Sequence, residues 1–273
     1  TADLGPLTTS FLRYAVALLF LCCFLFRSKQ SSLKVQRKDV FLLFLLGLSG
    51  IVGYHYFFLL SLLFTEVANT AIINAASPIL TAIAAALFIG ERLQGKNYAG
   101  VFLAFVGVVI LLARGSVTNL LTMNVNIGDA IMLLATLSWV IYTLIVKRLI
   151  TKYSGFAITF YATLFGVILL FSLALTENLV DHIRHVSASS VVAVLYIGIC
   201  SSGLGYLLYN LSIREIGPTR TSSFVYSLVP ILVSFLAFLF FRQSVTFVMI
   251  SSMGLILVGL RFMLRENTAH RHS

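Results

Sequence analysis

The stretch "NAASPILTAIAAALFIGERL", Asn74–Leu93, decides how this chain folds. It carries no charge from Asn74 to Gly90, then stops at Gly90-Glu91-Arg92. An uncharged apolar run of this length reads as a helix crossing a bilayer core of about 30 Å. Pro78 falls near the middle of that helix, where a proline removes a backbone hydrogen bond and costs about 3 kcal/mol in an ordinary interior. That cost needs a reason, and the sequence around it supplies one.

The composition places the whole chain in the bilayer. Its 273 residues are 59% hydrophobic and 10% charged, with mean hydropathy +1.01, against roughly 25% charged in a soluble domain. Nine apolar stretches are long enough, or nearly so, to cross as helices: Thr8–Phe26, Val40–Phe64, Ala68–Phe88, Tyr98–Ala113, Ile127–Val146, Phe156–Leu175, Ser190–Ile213, Thr221–Phe241 and Val245–Leu264. Short connections make neighbours antiparallel. No segment shows strand alternation, so the expected class is an all-α polytopic membrane protein.

The net charge of +10 is topology rather than a sign of nucleic acid. Fifteen of the 19 Lys/Arg fall in Arg27–Asp39, Glu91–Asn97, Lys147–Gly155, Arg214–Arg220 and the tail from Arg261, all on one side. Only Arg114, Arg184 and Arg242 fall on the other, and Arg13 lies within a helix. Basic loops stay in the cytoplasm, which puts the C-terminus inside. Cys22, Cys23 and Cys200 lie in apolar spans and indicate no disulfide framework. The opening TADLGPLTTS has no basic n-region of a signal peptide.

A shift of 152 residues aligns Pro78-Ile79-Leu80 with Pro230-Ile231-Leu232, Gly53-Tyr54 with Gly205-Tyr206, Leu59 with Leu211 and Gly107 with Gly259. The chain therefore reads as a repeat over 1–115, with four helices, and a second over 127–265, with five, followed by a tail at 266–273. The unpaired helix of the second repeat predicts a first helix missing from the first, ten in the full protein, and Thr1 outside. Repeats with an odd number of helices cross the membrane in opposite senses.

The pieces "GPLTTSFLRYAVALLF", "TAIINAASPILTAIAAALFIGERL", "GVFLAFVGVVIL", "GDAIMLLATLSWVIYTLIVKR" and "REIGPTRTSSFVYSLVPILVSFLAFLFF" resemble the drug/metabolite transporter superfamily, specifically its EamA-type members. The likeness covers nearly the whole chain, in order. It implies ten helices in two inverted five-helix repeats, and a carrier that moves amino acids and related small metabolites across the bacterial inner membrane, often outward. The second repeat departs from the pattern with Phe241-Arg242-Gln243-Ser244 where Gly-Glu-Arg is usual, leaving Glu91 without a symmetric partner.

The chemistry-bearing residues are few. All nine Asp/Glu lie at helix ends or in loops, so no intramembrane carboxylate relay is expected. No phosphate-cradling G-x-x-x-x-G-K-[ST] is present, and no cofactor or metal is expected. His55, alone among the histidines in being inside a span, has three open readings: cavity lining, proton coupling or packing. Arg13 could snorkel outward or face the bundle, as a structural or gating residue or a substrate contact. Tyr54 and Tyr206 are repeat mates, Tyr209 and Asn210 follow one turn after Tyr206, and Trp139 and Tyr142 share a helix face. Asn74 and Tyr226 each precede a matched proline by four residues. Such aromatics serve packing, interfacial anchoring or a site. As a site, Tyr54, His55, Asn74, Trp139, Tyr142, Tyr206, Asn210 and Tyr226 would line a cavity for a zwitterion by stacking and hydrogen bonding. Pro78 and Pro230 then read as matched mid-membrane hinges, which answers the cost of Pro78. Glycines 47, 50, 53, 100 and 107 read as close helix contacts. An enzyme is not expected: Ser49 and His55 on one helix stand about 120° and 9 Å apart, too far for a nucleophile and its base. The remaining alternative is a passive channel, although no charged ring or filter sequence is present.

Overall fold

A computed structural model describes residues 4–27, 33–91, 93–113, 126–241 and 246–264. The chain forms α1 (Pro6–Arg27), α2 (Val40–Leu46), α3 (Tyr54–Ser61), α4 (Val67–Ala75), α5 (Ser77–Ile89), α6 (Gly95–Leu112), α7 (Ile127–Leu149), α8 (Gly155–Ala174), α9 (Leu179–Arg184), α10 (Ala188–Tyr196), α11 (Tyr206–Ile216), α12 (Pro218–Phe241) and α13 (Phe247–Leu264). No strand occurs among the described residues. Seven helical runs there are long and apolar enough to cross a membrane. The protein is a multi-pass membrane protein.

Two of those runs are not plain α-helices. Gly47–Gly53 joins α2 to α3, and Ile197–Gly205 joins α10 to α11, each in π-helical geometry. A third run breaks. α4 ends at Ala75, Ala76 turns, and α5 begins at Ser77 with Pro78 in its first turn. The expected mid-helix kink at Pro78 is therefore corrected. In a first turn the missing N–H had no intrahelical acceptor to lose, so the proline costs little. Pro230, by contrast, sits inside the unbroken α12, where it removes the bond to the Tyr226 carbonyl. The two prolines share an offset but not a local structure. α5 ends where expected, on Gly90 in the left-handed region (φ 64°).

The helices gather into two compact units. One takes the chain to Leu60 and Leu137–Gly217; the other takes Ser61–Thr136 and the chain from Pro218. Each unit thus draws helices from both halves of the sequence.

In the first unit, α1 packs on α8 and on the second π segment, and α8 packs on the first π segment and α2. The carboxylate of Glu177 caps α1 from far along the chain, accepting from the amides of Leu7 at 3.1 Å and Thr8 at 2.9 Å. It meets orphan donors at a helix N-terminus, where negative charge is favoured. Buried Asp39 is held by Lys152 Nζ at 3.2 Å and by the Tyr153 hydroxyl at 2.6 Å. That hydrogen bond to the carboxylate pushes the Tyr153 phenol above its ordinary range.

In the second unit, α6 packs along α13 in close backbone contact. A Cβ on Gly100 would meet the Gly259 carbonyl at 2.6 Å, and one on Gly107 would meet the Ser252 carbonyl at 3.1 Å. The contacts advance along one helix and retreat along the other, so the pair is antiparallel. Asp129 at the start of α7 accepts from Thr65 at 2.6 Å and Asn69 at 3.3 Å. Glu91 accepts from the Thr219 hydroxyl in the first turn of α12, a contact that needs no symmetric partner. The expected second-repeat counterpart, around Arg242, and the expected 266–273 tail lie outside the described residues.

Candidate functional site

A network of aromatic and polar side chains lies in the first unit, and its two π segments help to set their positions. Both segments are rich in glycine, "GLSGIVG" and "IGICSSGLG", which weakens the ordinary α ladder by about 0.5–1 kcal/mol for each glycine. A π turn widens the helix and is common at functional sites. Both segments end on a Gly-Tyr pair, Gly53-Tyr54 and Gly205-Tyr206, which are 152 residues apart. Gly50 and Ser202 hold equivalent places within them, and each receives a side-chain donor. The Gly50 carbonyl accepts from the Tyr206 hydroxyl at 2.9 Å, and Ser202 Oγ accepts from Arg13 Nε at 2.8 Å.

From these points a network runs through the unit. The Tyr14 hydroxyl donates to the Tyr206 hydroxyl at 2.7 Å and lies 3.3 Å from His55 Nε2. His55 Nδ1 is 2.9 Å from the Ile51 carbonyl. A carbonyl only accepts, so Nδ1 carries the proton. A second circuit closes on itself: Trp139 Nε1 donates to the Tyr209 hydroxyl at 3.1 Å, Tyr209 to Thr143 Oγ1 at 3.0 Å, and Thr143 to the Trp139 carbonyl at 2.9 Å. Third, the Tyr142 hydroxyl donates to Asn210 Oδ1 at 2.9 Å, while Asn210 Nδ2 donates to Thr159 Oγ1 at 2.9 Å. Trp139 is the aromatic hub. It stacks on Tyr142 with centroids 5.1 Å apart, meets Tyr206 edge-on at 5.4 Å, and touches Tyr54 at 5.3 Å.

Burial sorts these residues into two layers. Tyr14, Tyr142 and Asn210 have no exposed surface, and Trp139, Tyr206 and Tyr209 retain under a tenth. Arg13, Tyr54 and His55 are half-buried and form the outer edge. Of the eight residues expected to line a cavity, six meet here: Tyr54, His55, Trp139, Tyr142, Tyr206 and Asn210. Tyr142 and Asn210 stand behind the surface, as hydrogen-bonded supports. Asn74 and Tyr226 belong to the second unit, on α4 and α12. Arg13 does not snorkel; its bond to Ser202 turns it into the unit. Ser49, the other half of the rejected catalytic pair, donates to the Leu45 carbonyl at 2.6 Å.

Sequence reasoning missed Tyr14, Thr143, Thr159 and Ser202. Tyr14 adjoins Arg13, and Ser202 lies 152 residues after Gly50, so both had a signal. Thr143 and Thr159 had none. Among the described residues no group of three or more His, Cys, Asp or Glu could hold a metal ion.

The network predicts a measurable coupling. Asn210→Leu keeps the branched shape but leaves the buried Tyr142 hydroxyl without an acceptor. Interhelical hydrogen bonds in membranes are worth about 0.6–1.7 kcal/mol, so a loss of about 1–2 kcal/mol is expected. Adding Tyr142→Phe removes the orphaned hydroxyl and should cost almost nothing further. A double-mutant cycle on melting midpoints in detergent checks this; additive losses would deny the contact.

The "Uncharacterized transporter YyaM" of Bacillus subtilis (strain 168) is 29% identical over 224 residues, covering 82% of this chain and 72% of that one. An "Uncharacterized transporter" of Archaeoglobus fulgidus is 25% identical over 265 residues, covering 96% of this chain and 90% of that one. A "Probable terminal-alkyne amino-acid exporter" of Streptantibioticus cattleyicolor is 20% identical over 196 residues, covering 72% of this chain and 64% of that one. A solved crystal structure shares the fold, with TM-score 0.75, 16% identity and coverage of 95% of this chain and 89% of that one. The sequence pattern of the EamA-like transporter family matches residues 1–113 and 126–265, and the chain belongs to that family.

Proposed function

We propose that this membrane transporter is a secondary carrier that exports amino acids or related small metabolites across the bacterial inner membrane by alternating access, with its C-terminus in the cytoplasm. The observation that carries the reading is the aromatic layer of the first unit. It offers stacked rings and neutral hydrogen-bonding groups, with Arg13, Tyr54 and His55 at its half-buried edge. Such a surface suits a small solute with an apolar side chain and a polar head. The amino-acid class is supported by the printed name of the Streptantibioticus relative.

Two inverted repeats, with nine membrane helices in this chain, belong to the same reading. Support comes from α6 and α13. Gly107 and Gly259 are 152 residues apart, as are Gly100 and Ser252. The contact of Gly100 with Gly259 therefore maps onto that of Ser252 with Gly107. An exchange of this kind is what a two-fold relation between inverted copies produces. Alternating access would rock one set of helices against another, with Pro78 and Pro230 as points of bending.

Counterflow in proteoliposomes tests the function. Vesicles loaded with unlabelled amino acid should accumulate the labelled form transiently, with saturation. Unsaturable flux or conductance would replace the carrier by a channel.

A further inference from the structure

Arg13 lies two turns inside α1, and a charge at that depth in a membrane span is costly unless it is matched. Its guanidinium is oriented on two sides. Nε donates to Ser202 Oγ at 2.8 Å, and the guanidinium carbon sits 5.0 Å from the centroid of the Tyr14 ring. Among the described residues no carboxylate forms an ion pair with Arg13. The nearest titratable side chains supply no counter-charge. Tyr14 and Tyr206 are phenols tied to each other, and the Nδ1 proton of His55 is directed at Ile51. With Nε donating to Ser202 and the guanidinium also hydrogen-bonded to the Tyr14 side chain, its remaining N–H donors are left to meet a carboxylate.

We propose that Arg13 binds the carboxylate of the transported solute, with Ser202 as the positioning residue that sets the guanidinium plane. This rests on the carrier reading above and narrows it: the solutes carried are organic acids, amino acids among them, and the amine is not what is recognised. Tyr54 and Trp139, 5.3 Å apart, would take the apolar part of such a solute.

The sequence holds a single tryptophan, Trp139, so its emission reports directly on this site. The test titrates the full chain in liposomes with L-leucine, 4-methylpentanoate and L-leucinamide, and measures counterflow of each. Leucine and 4-methylpentanoate should bind within about threefold of each other, and leucinamide at least about tenfold more weakly, since a charge-assisted pair is lost. Arg13→Gln should erase that discrimination, Arg13→Lys should keep part of it, and Ser202→Ala should reduce it. Equal binding of leucine and leucinamide by the unaltered protein overturns the proposal, and needs no variant to fold. So does an unchanged acid-to-amide ratio in Arg13→Gln with a native melting midpoint. Transport of leucinamide as fast as leucine refutes the anchor while leaving the carrier intact. No counterflow and no Trp139 response for any of the three solutes refutes both.

Discussion

Gly50→Ala is expected to dismantle the aromatic layer. A Cβ at Gly50 would fall onto the Tyr142 ring, within 2.5 Å of Cγ and closer still to Cδ2. That ring cannot swing aside cheaply. It is wholly buried, stacks on Trp139 and is tied through its hydroxyl to Asn210. Nor can the backbone of the first π segment retreat, because Gly47 already rests on the Gly166 amide at 2.7 Å from its Cβ position. Overpacking of a well-filled core costs about 1–3 kcal/mol, and the upper end applies here. For a chain of this size that is a drop of roughly 6–12 °C in melting midpoint. Transport should be lost, with a shift in Trp139 emission. The obstacle is a side chain, so removing it should relieve the strain: in a Tyr142→Leu background, Gly50→Ala should cost under about 1 kcal/mol. An equal cost in both backgrounds would show that the ring is not what Gly50 accommodates.

The all-helical, multi-span character of the chain was legible because length and apolarity are all a bilayer demands of a span. The identities shared at an offset of 152 were legible, and the π segments were not. Residue identities such as Gly53-Tyr54 and Gly205-Tyr206 are visible in a sequence, whereas a one-residue change in hydrogen-bond register leaves hydropathy untouched. The break at Ala76 is a similar case. Pro78 announces a disturbance, but whether the helix bends through it or restarts at it depends on neighbours far along the chain. Pro230, at the equivalent position, sits in an unbroken helix.

The site was legible where a residue was unusual for its surroundings. An imidazole, an indole and several phenols within apolar spans stood out, and six of the eight chosen residues came together. Their layering was not legible. Tyr142 and Asn210 are as conspicuous in sequence as Tyr54 and His55, yet they are buried supports, because burial depends on which helix covers which face. Thr143 and Thr159 are inconspicuous because threonine is common in membrane helices, where its hydroxyl returns to the carbonyl one turn back, as both do here.

Gly259→Ala is expected to separate α6 from α13, and no side-chain substitution should rescue it. A Cβ at Gly259 would stand 2.5 Å from the Ala104 amide nitrogen and 2.7 Å from the Gly100 carbonyl oxygen. These are backbone atoms of a helix, so the only relief is to move the helix itself. The cost then spreads along the contact. Val101, Val108, Leu111, Ile256, Leu260 and Met263 form one buried cluster between the two helices, and a shift of even about 1 Å forfeits much of the dispersion attraction of each. The hydrogen bond from Asn97 Nδ2 to the Met263 carbonyl, 2.7 Å, would stretch as well. The expected loss is about 3–5 kcal/mol, seen as a collapsed yield of folded protein and a lowered midpoint. Gly254 supplies the control within the same helix. A Cβ there meets nothing within 4 Å, so Gly254→Ala should be neutral or stabilising by roughly 0.5–1 kcal/mol, through helix propensity alone. Equal behaviour of the two variants would exclude close approach as the reason for glycine at 259. Opposite behaviour would place the α6–α13 contact among the interactions that hold the second unit together.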